Sequence, residues 1–203
     1  MSVEMENRPV SERFEHLLSL ISGERFLTKQ GLGNEVPFFI CPYRPEEAVE
    51  MARMQRQLQN RLEQSSVGVL EVNLYDLAIQ LLKDRGIWER LISMEESFSK
   101  GQLKELLTGV LDSEAHLVPA MAQKMRAIDF DVMFITGVGE VFPYIRSHNV
   151  LNNLQSTAKE KPTVMFFPGT YTHSLSEGAS LDLFGRLHDD KYYRAFNIFH
   201  CEV

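Results

Sequence analysis

Three short stretches bring together residue types that could hold or transform a ligand. Arg146, Asn149, Asn153 and Thr157 recur at steps of three, four and four, the spacing that gathers a guanidinium and two amides on one helix face. Such a face suits paired hydrogen bonds to a partner or a polar ligand. Asparagine is a poor helix former whose side chain competes for the backbone, so mere solubility would favour Glu and Lys instead. Gly137-Val-Gly139-Glu140 follows an apolar run and could aim backbone N–H groups at an anion; it also reads as a tight turn in which Glu140 itself takes the positive end of the next helix. Arg44 and His173 come after two further apolar runs, and with Glu140 and Arg146 they are the polar groups open to a nucleotide-sensing or hydrolytic site at one edge of a sheet.

Most familiar chemistries lack their parts. A P-loop needs a glycine-rich turn ending in Lys and Ser/Thr, but the first apolar run ends in Cys41-Pro-Tyr-Arg-Pro45, whose prolines remove N–H donors that would cradle phosphate. The run Asp131-Val-Met-Phe-Ile-Thr136 resembles a Walker B strand but meets no acid until Glu140. The six histidines include no H-x-x-x-H pair, and neither cysteine has zinc spacing; His188-Asp-Asp190 is a compact cluster, yet adjacent residues point in different directions. There is no G-x-S-x-G elbow, and a nuclease-like Glu-x-Lys fails at Glu71, where Asn73 replaces the lysine. No catalytic residue, metal or cofactor is expected.

The elements that must position these residues alternate. Phe14, Leu17, Leu18 and Ile21 form a helical stripe with Ser11 as N-cap and Gly23 as stop; Val36–Cys41 reads as a strand; Glu46–Gln64 reads as a helix with Met51, Met54, Leu58 and Leu62 inward. Val67–Leu74 is a second strand, followed by helical material from 74 to 128, including a stripe of Leu74, Leu77, Ala78 and Leu81, a group at Trp88, Leu91 and Ile92, a Ser99/Gln102 capping box, and a helix from Pro119 carrying Met121, Met125 and Ile128. Asp131–Thr136 and Thr163–Pro168 read as buried strands, joined by the turn Gly137–Glu140 and a helix with Pro143 in its first turn that runs to about Ala158, and Tyr192–Ile198 reads as another strand. The expectation is a single three-layer α/β domain over residues 1–203. Its mostly parallel sheet of about five strands resembles a P-loop-type fold without the nucleotide-binding loop, and residues 74–128 form a helical lobe.

Composition narrows the functions. Twenty-one Lys and Arg against 28 Asp and Glu give a formal charge of −7, which disfavours direct DNA binding. Two cysteines make no disulfide framework, and no apolar run nears the length of a membrane span, so a reduced, cytoplasmic protein is expected.

Long segments carry a further signal. Gly31-Leu-Gly-Asn-Glu-Val-Pro-Phe-Phe-Ile-Cys41, the stretch from Ile135 through Gly-Val-Gly-Glu to Leu154, and Phe184-Gly-Arg-Leu-His-Asp-Asp-Lys-Tyr-Tyr-Arg-Ala-Phe-Asn-Ile198 resemble the BrxB family of bacteriophage-exclusion (BREX) systems. The resemblance implies a bacterial or archaeal defence protein. Its gene would stand in an operon with a DNA methyltransferase, a large ATPase, a Lon-like protease and PglZ, an alkaline-phosphatase-like protein. It further implies a structural or regulatory component associating with PglZ or other BREX proteins. It assigns no partner-binding residue.

Overall fold

The computed structural model describes residues 4–31, 36–174, 178–185, 187–188 and 194–203. A parallel sheet is built from β1 (Phe38–Tyr43), β2 (Val69–Asn73), β3 (Val132–Thr136), β4 (Thr163–Ser174) and β7 (Phe196–Asn197) in the order β2-β3-β4-β1-β7. Past Pro168, β4 continues into an antiparallel ladder with β5 (Gly178–Leu183), which pairs with β6 (Leu187–His188). Helices cover both faces, giving the expected three layers.

Strand residues alternate between two cores, as a pleat requires. Phe39, Cys41, Val132, Phe134, Val164 and Phe166 face α1 (Val10–Ile21), the short α2 (Glu24–Leu27) and α3 (Ala48–Gln64). Ile40, Leu70, Val72, Met133, Ile135, Met165 and Phe167 face α4 (Leu74–Asp84), α7 (Val118–Ala127) and α8 (Ser147–Leu154). Between α4 and α7 lie α5 (Trp88–Met94) and α6 (Lys100–Val110), and Leu107 and Leu111 join the second core, so the 74–128 helices pack against the sheet.

The stripe Met51, Met54, Leu58 and Leu62 is buried as its period dictates, and Ser99 and Gln102 make both bonds of a capping box. Several boundaries differ from expectation. Pro9, not Ser11, stands at the start of α1, because its carbonyl accepts the N–H groups of Glu12 and Arg13. β1 runs on through Pro42, which pairs with Phe167 on β4; β7 reaches no further than Ile40, so the missing N–H costs no ladder bond on that side. A tight turn over Pro45–Glu47 precedes α3. Ile92 and Ile128 are exposed rather than packed, Ile128 being the extended residue that ends α7. The helix after Gly139 starts at Ser147: Val141–Ile145 form turns around Pro143, which lacks an N–H and biases Phe142 away from helix. Of the expected last strand, Phe196–Asn197 is present; Tyr192 and Tyr193, and with them Asp189 and Asp190 of the acidic cluster, lie outside the described residues.

Pro168-Gly169 reads as a strand end, yet Gly169 pairs with Leu183 in the ladder. A Cβ there would run into the Asp182 backbone carbonyl and lie 2.9 Å from Phe167 Cε1. The glycine is what lets β5 close on β4. Gly169→Ala is expected to cost about 1–3 kcal/mol, lowering the melting temperature by several degrees. A melting temperature equal to that of the parent chain would contradict the close approach.

Candidate functional site

Arg146 is the extended residue preceding α8, with φ −104° and ψ 133°. Val150, Leu151 and Leu154 turn toward the sheet, which leaves Arg146 and Asn149 exposed and Asn153 half-buried on the opposite side. The facing wall comes from the end of α6. There Asp112 Oδ1 accepts the N–H groups of Glu114 at 3.0 Å and Ala115 at 2.7 Å, capping one wide π-type turn over Ser113–Leu117 against which α8 packs. Between the walls lies a polar groove of about 200 Å³, lined by Tyr144, Arg146, Asn149 and Asn153 on one side and by Asp112, Ser113 and Glu114 on the other.

The groove sets one guanidinium against two carboxylates, with amides and hydroxyls between. Asn153 Nδ2 donates to the Asn149 backbone carbonyl at 2.9 Å, so part of that amide serves the helix itself. Among the described residues no imidazole or thiol lines it to activate the hydroxyls of Ser113 and Tyr144. Among the described residues no three His, Cys, Asp or Glu side chains gather as metal ligands. What this arrangement offers is charge pairing and hydrogen bonding, the chemistry of recognition.

The other sequence candidates do not join it. Arg44 follows β1 with its side chain exposed, and its Nη2 and Nε bond Glu47 Oε1 at 2.5 and 3.1 Å. Gly137 has φ +70°, and a Cβ there would come within 2.5 Å of Asn73 Oδ1, the oxygen that caps α4 through the N–H groups of Tyr75 and Asp76. Gly139 is pressed against Pro168 and Phe184. Both glycines therefore serve close packing, and neither stands at a helix N-terminus. Glu140 is exposed in the turn rather than at the start of α8. Burial first, and then the neighbouring Cys41 and Glu140, push the Tyr43 phenol up to about 12, which places Glu140 near the end of β1. His173 pairs with Ala179 in the hairpin, and its side chain lies outside the described residues. His148, in the first turn of α8, is buried, as a packed histidine would be.

Thus the structure gathers Arg146, Asn149 and Asn153 and adds Tyr144, Asp112, Ser113 and Glu114. The Asp-Ser-Glu run signals a capped helical start, but nothing in the chain says which helix it will face.

A family model described as BREX protein BrxB matches residues 70–198 of the chain. The chain belongs to the BrxB family. A BREX protein BrxB of Bacillus cereus (strain H3081.97) is 37% identical over 196 residues, covering 94% of this chain and 98% of that relative. The BrxB of Escherichia coli O9:H4 (strain HS) is 30% identical over 191 residues, covering 94% and 92%. BrxB membership makes the chain a component of a BREX system and so of phage defence. No solved structure matches the fold. Among the described residues, no helix of this BrxB family member is long and apolar enough to cross a membrane.

Proposed function

We infer that the chain is a non-catalytic structural or regulatory subunit of a BREX complex, and that it docks on PglZ through the groove between α8 and the wide turn. The observation that carries this reading is the groove itself. It holds a guanidinium, two carboxylates and amides, and among the described residues no nucleophile paired with a base. Family membership supports the setting, since a component of a multi-gene defence system acts beside the other products of that system. Arginine is enriched where interfaces concentrate their energy, because its planar fork makes paired hydrogen bonds.

Arg146→Ala is expected to weaken association with purified PglZ by about 1–3 kcal/mol, roughly five- to 150-fold in Kd, while barely moving the melting temperature. Isothermal titration and thermal unfolding on the same variant decide the matter. A mutant that loses stability but binds PglZ normally would assign Arg146 to internal structure. One unchanged in both would remove the groove from consideration.

A further inference from the structure

Strand β2 forms one margin of the parallel sheet; among the described residues its ladder partner is β3 alone. The phase of that ladder is fixed just before the strand. Gly68 N–H donates to Asp131 Oδ2 at 2.8 Å, and its carbonyl accepts from the N–H groups of Asp131 and Val132 at 2.8 and 3.1 Å, so both of its backbone groups face the β3 side. Leu70 and Val72 share that phase, and the N–H and C=O of Val69 and Glu71 therefore point outward, away from the sheet.

Side chains along this margin add to the outward backbone groups. Glu71 sits mid-strand and exposed, its Oε1 accepting from Thr136 Oγ1 at 2.8 Å. A cleft of about 200 Å³ lined by Glu71, Val72, Asn73, Asp76 and Lys124 runs beside it. Asp76 joins this cleft to a wider groove of about 470 Å³ that includes Tyr75, Ile79 and Trp88. Tyr75 is 45% exposed there, and Ile92 on the following helix is 51% exposed. Outward backbone groups next to an aromatic groove are the two features that strand-adding recognition uses, the first for affinity and the second for specificity.

We propose that the β2 margin receives an extended segment of another polypeptide, paired as an added strand with Lys or Arg opposite Glu71 and an apolar residue over Tyr75 and Ile79. Charge decides the occupant. A second copy pairing antiparallel along all of Val69–Asn73 would set Glu71 directly opposite Glu71, a repulsive cross-strand pair. The same carboxylate and Asp76 outnumber Lys124 in the cleft, and the net negative charge attracts a cationic strand. An edge charge that guards against self-pairing thus also selects the partner. This surface is separate from the α8 groove, and the proposal stands or falls independently of PglZ docking.

The test uses the full chain and two capped heptapeptides, one alternating valine with lysine and the other valine with glutamate. At saturating lysine peptide, the Val69 and Glu71 amides should become protected from hydrogen exchange, and the glutamate peptide should bind about fivefold more weakly. Val69→Pro removes an outward N–H while sparing the ladder to β3 and should abolish binding; Glu71→Lys should reverse the peptide preference. Absence of protection at those two amides would overturn the proposal, as would a peptide preference unchanged in Glu71→Lys. A concentration-dependent dimer in sedimentation that Val69→Pro dissolves would also overturn it, giving the margin to a second copy.

Discussion

Truncating Phe134 or Phe166 to alanine is expected to cost about 3–5 kcal/mol, a large share of the stability of an ordinary domain. Both rings are 1% exposed. They lie on the neighbouring strands β3 and β4, on the face covered by α1 and α3, with centroids 5.2 Å apart and planes at 74°. The cost has two parts: the ring's transfer from water is lost, and the cavity left between two sheet strands and two helices has little room to collapse. The edge-to-face contact adds a coupling. The double variant should therefore cost less than the sum of the single ones by about 0.5–1.5 kcal/mol. Urea unfolding with an unchanged slope measures all three. Single variants that lose less than about 1 kcal/mol would mean that these rings do not sit in a close-packed interior.

That prediction draws on a part of the fold that is legible in the chain. The runs around Phe134 and Phe166 are almost wholly apolar, and continuous apolar character means that both sheet faces are covered. The same holds for Met51, Met54, Leu58 and Leu62, whose period is strict, and for Ser99 and Gln102, whose bonds are local. What escapes is whatever depends on a distant segment. Pro168-Gly169 has the composition of a turn. It stays in a strand because β5 arrives to pair with it, and the sequence before Pro168 holds no trace of that approach. Half of the candidate site is equally remote: the stripe Arg146, Asn149, Asn153 is a local period, whereas its opposite wall lies more than thirty residues earlier in the chain. Gly137 and Gly139 read as a tight turn, but what they pack against is remote in the same way, since their need for space is set by Asn73, Pro168 and Phe184.

The second large effect concerns Arg13, whose place on α1 was open to notice. Val10, Leu17 and Ile21 mark the buried stripe of that helix, and Arg13 lies four residues before Leu17 on the same side, with 1% of its side chain exposed. Its partner is 34 positions away: Nη2 donates to Glu47 Oε2 at 2.7 Å, while Glu47 Oε1 accepts from Arg44. Among the described residues Arg13 Nε and Nη1 are buried with no hydrogen-bond partner, and Glu47 is the carboxylate that compensates this cation. Glu47→Ala should leave an unpaired buried charge and destabilise the fold by about 3–5 kcal/mol. Replacing both partners at once, as Arg13→Met with Glu47→Leu, should recover most of that loss, because neither desolvated charge then remains. Burial pushes the Glu47 carboxyl up, but the hydrogen bonds and charges of Arg44 and Arg13 outweigh it and hold the group below its usual range. A carboxyl lowered on folding contributes stability that is present above its unfolded pKa, about 4.3, and is lost as pH falls through the folded value. Urea unfolding at neutral and at acid pH should show the parent chain losing more stability on acidification than the double variant. Equal losses would mean that the Arg13–Glu47 pair contributes nothing to acid sensitivity, and a Glu47→Ala chain as stable as its parent would show that Arg13 finds water when its partner is removed.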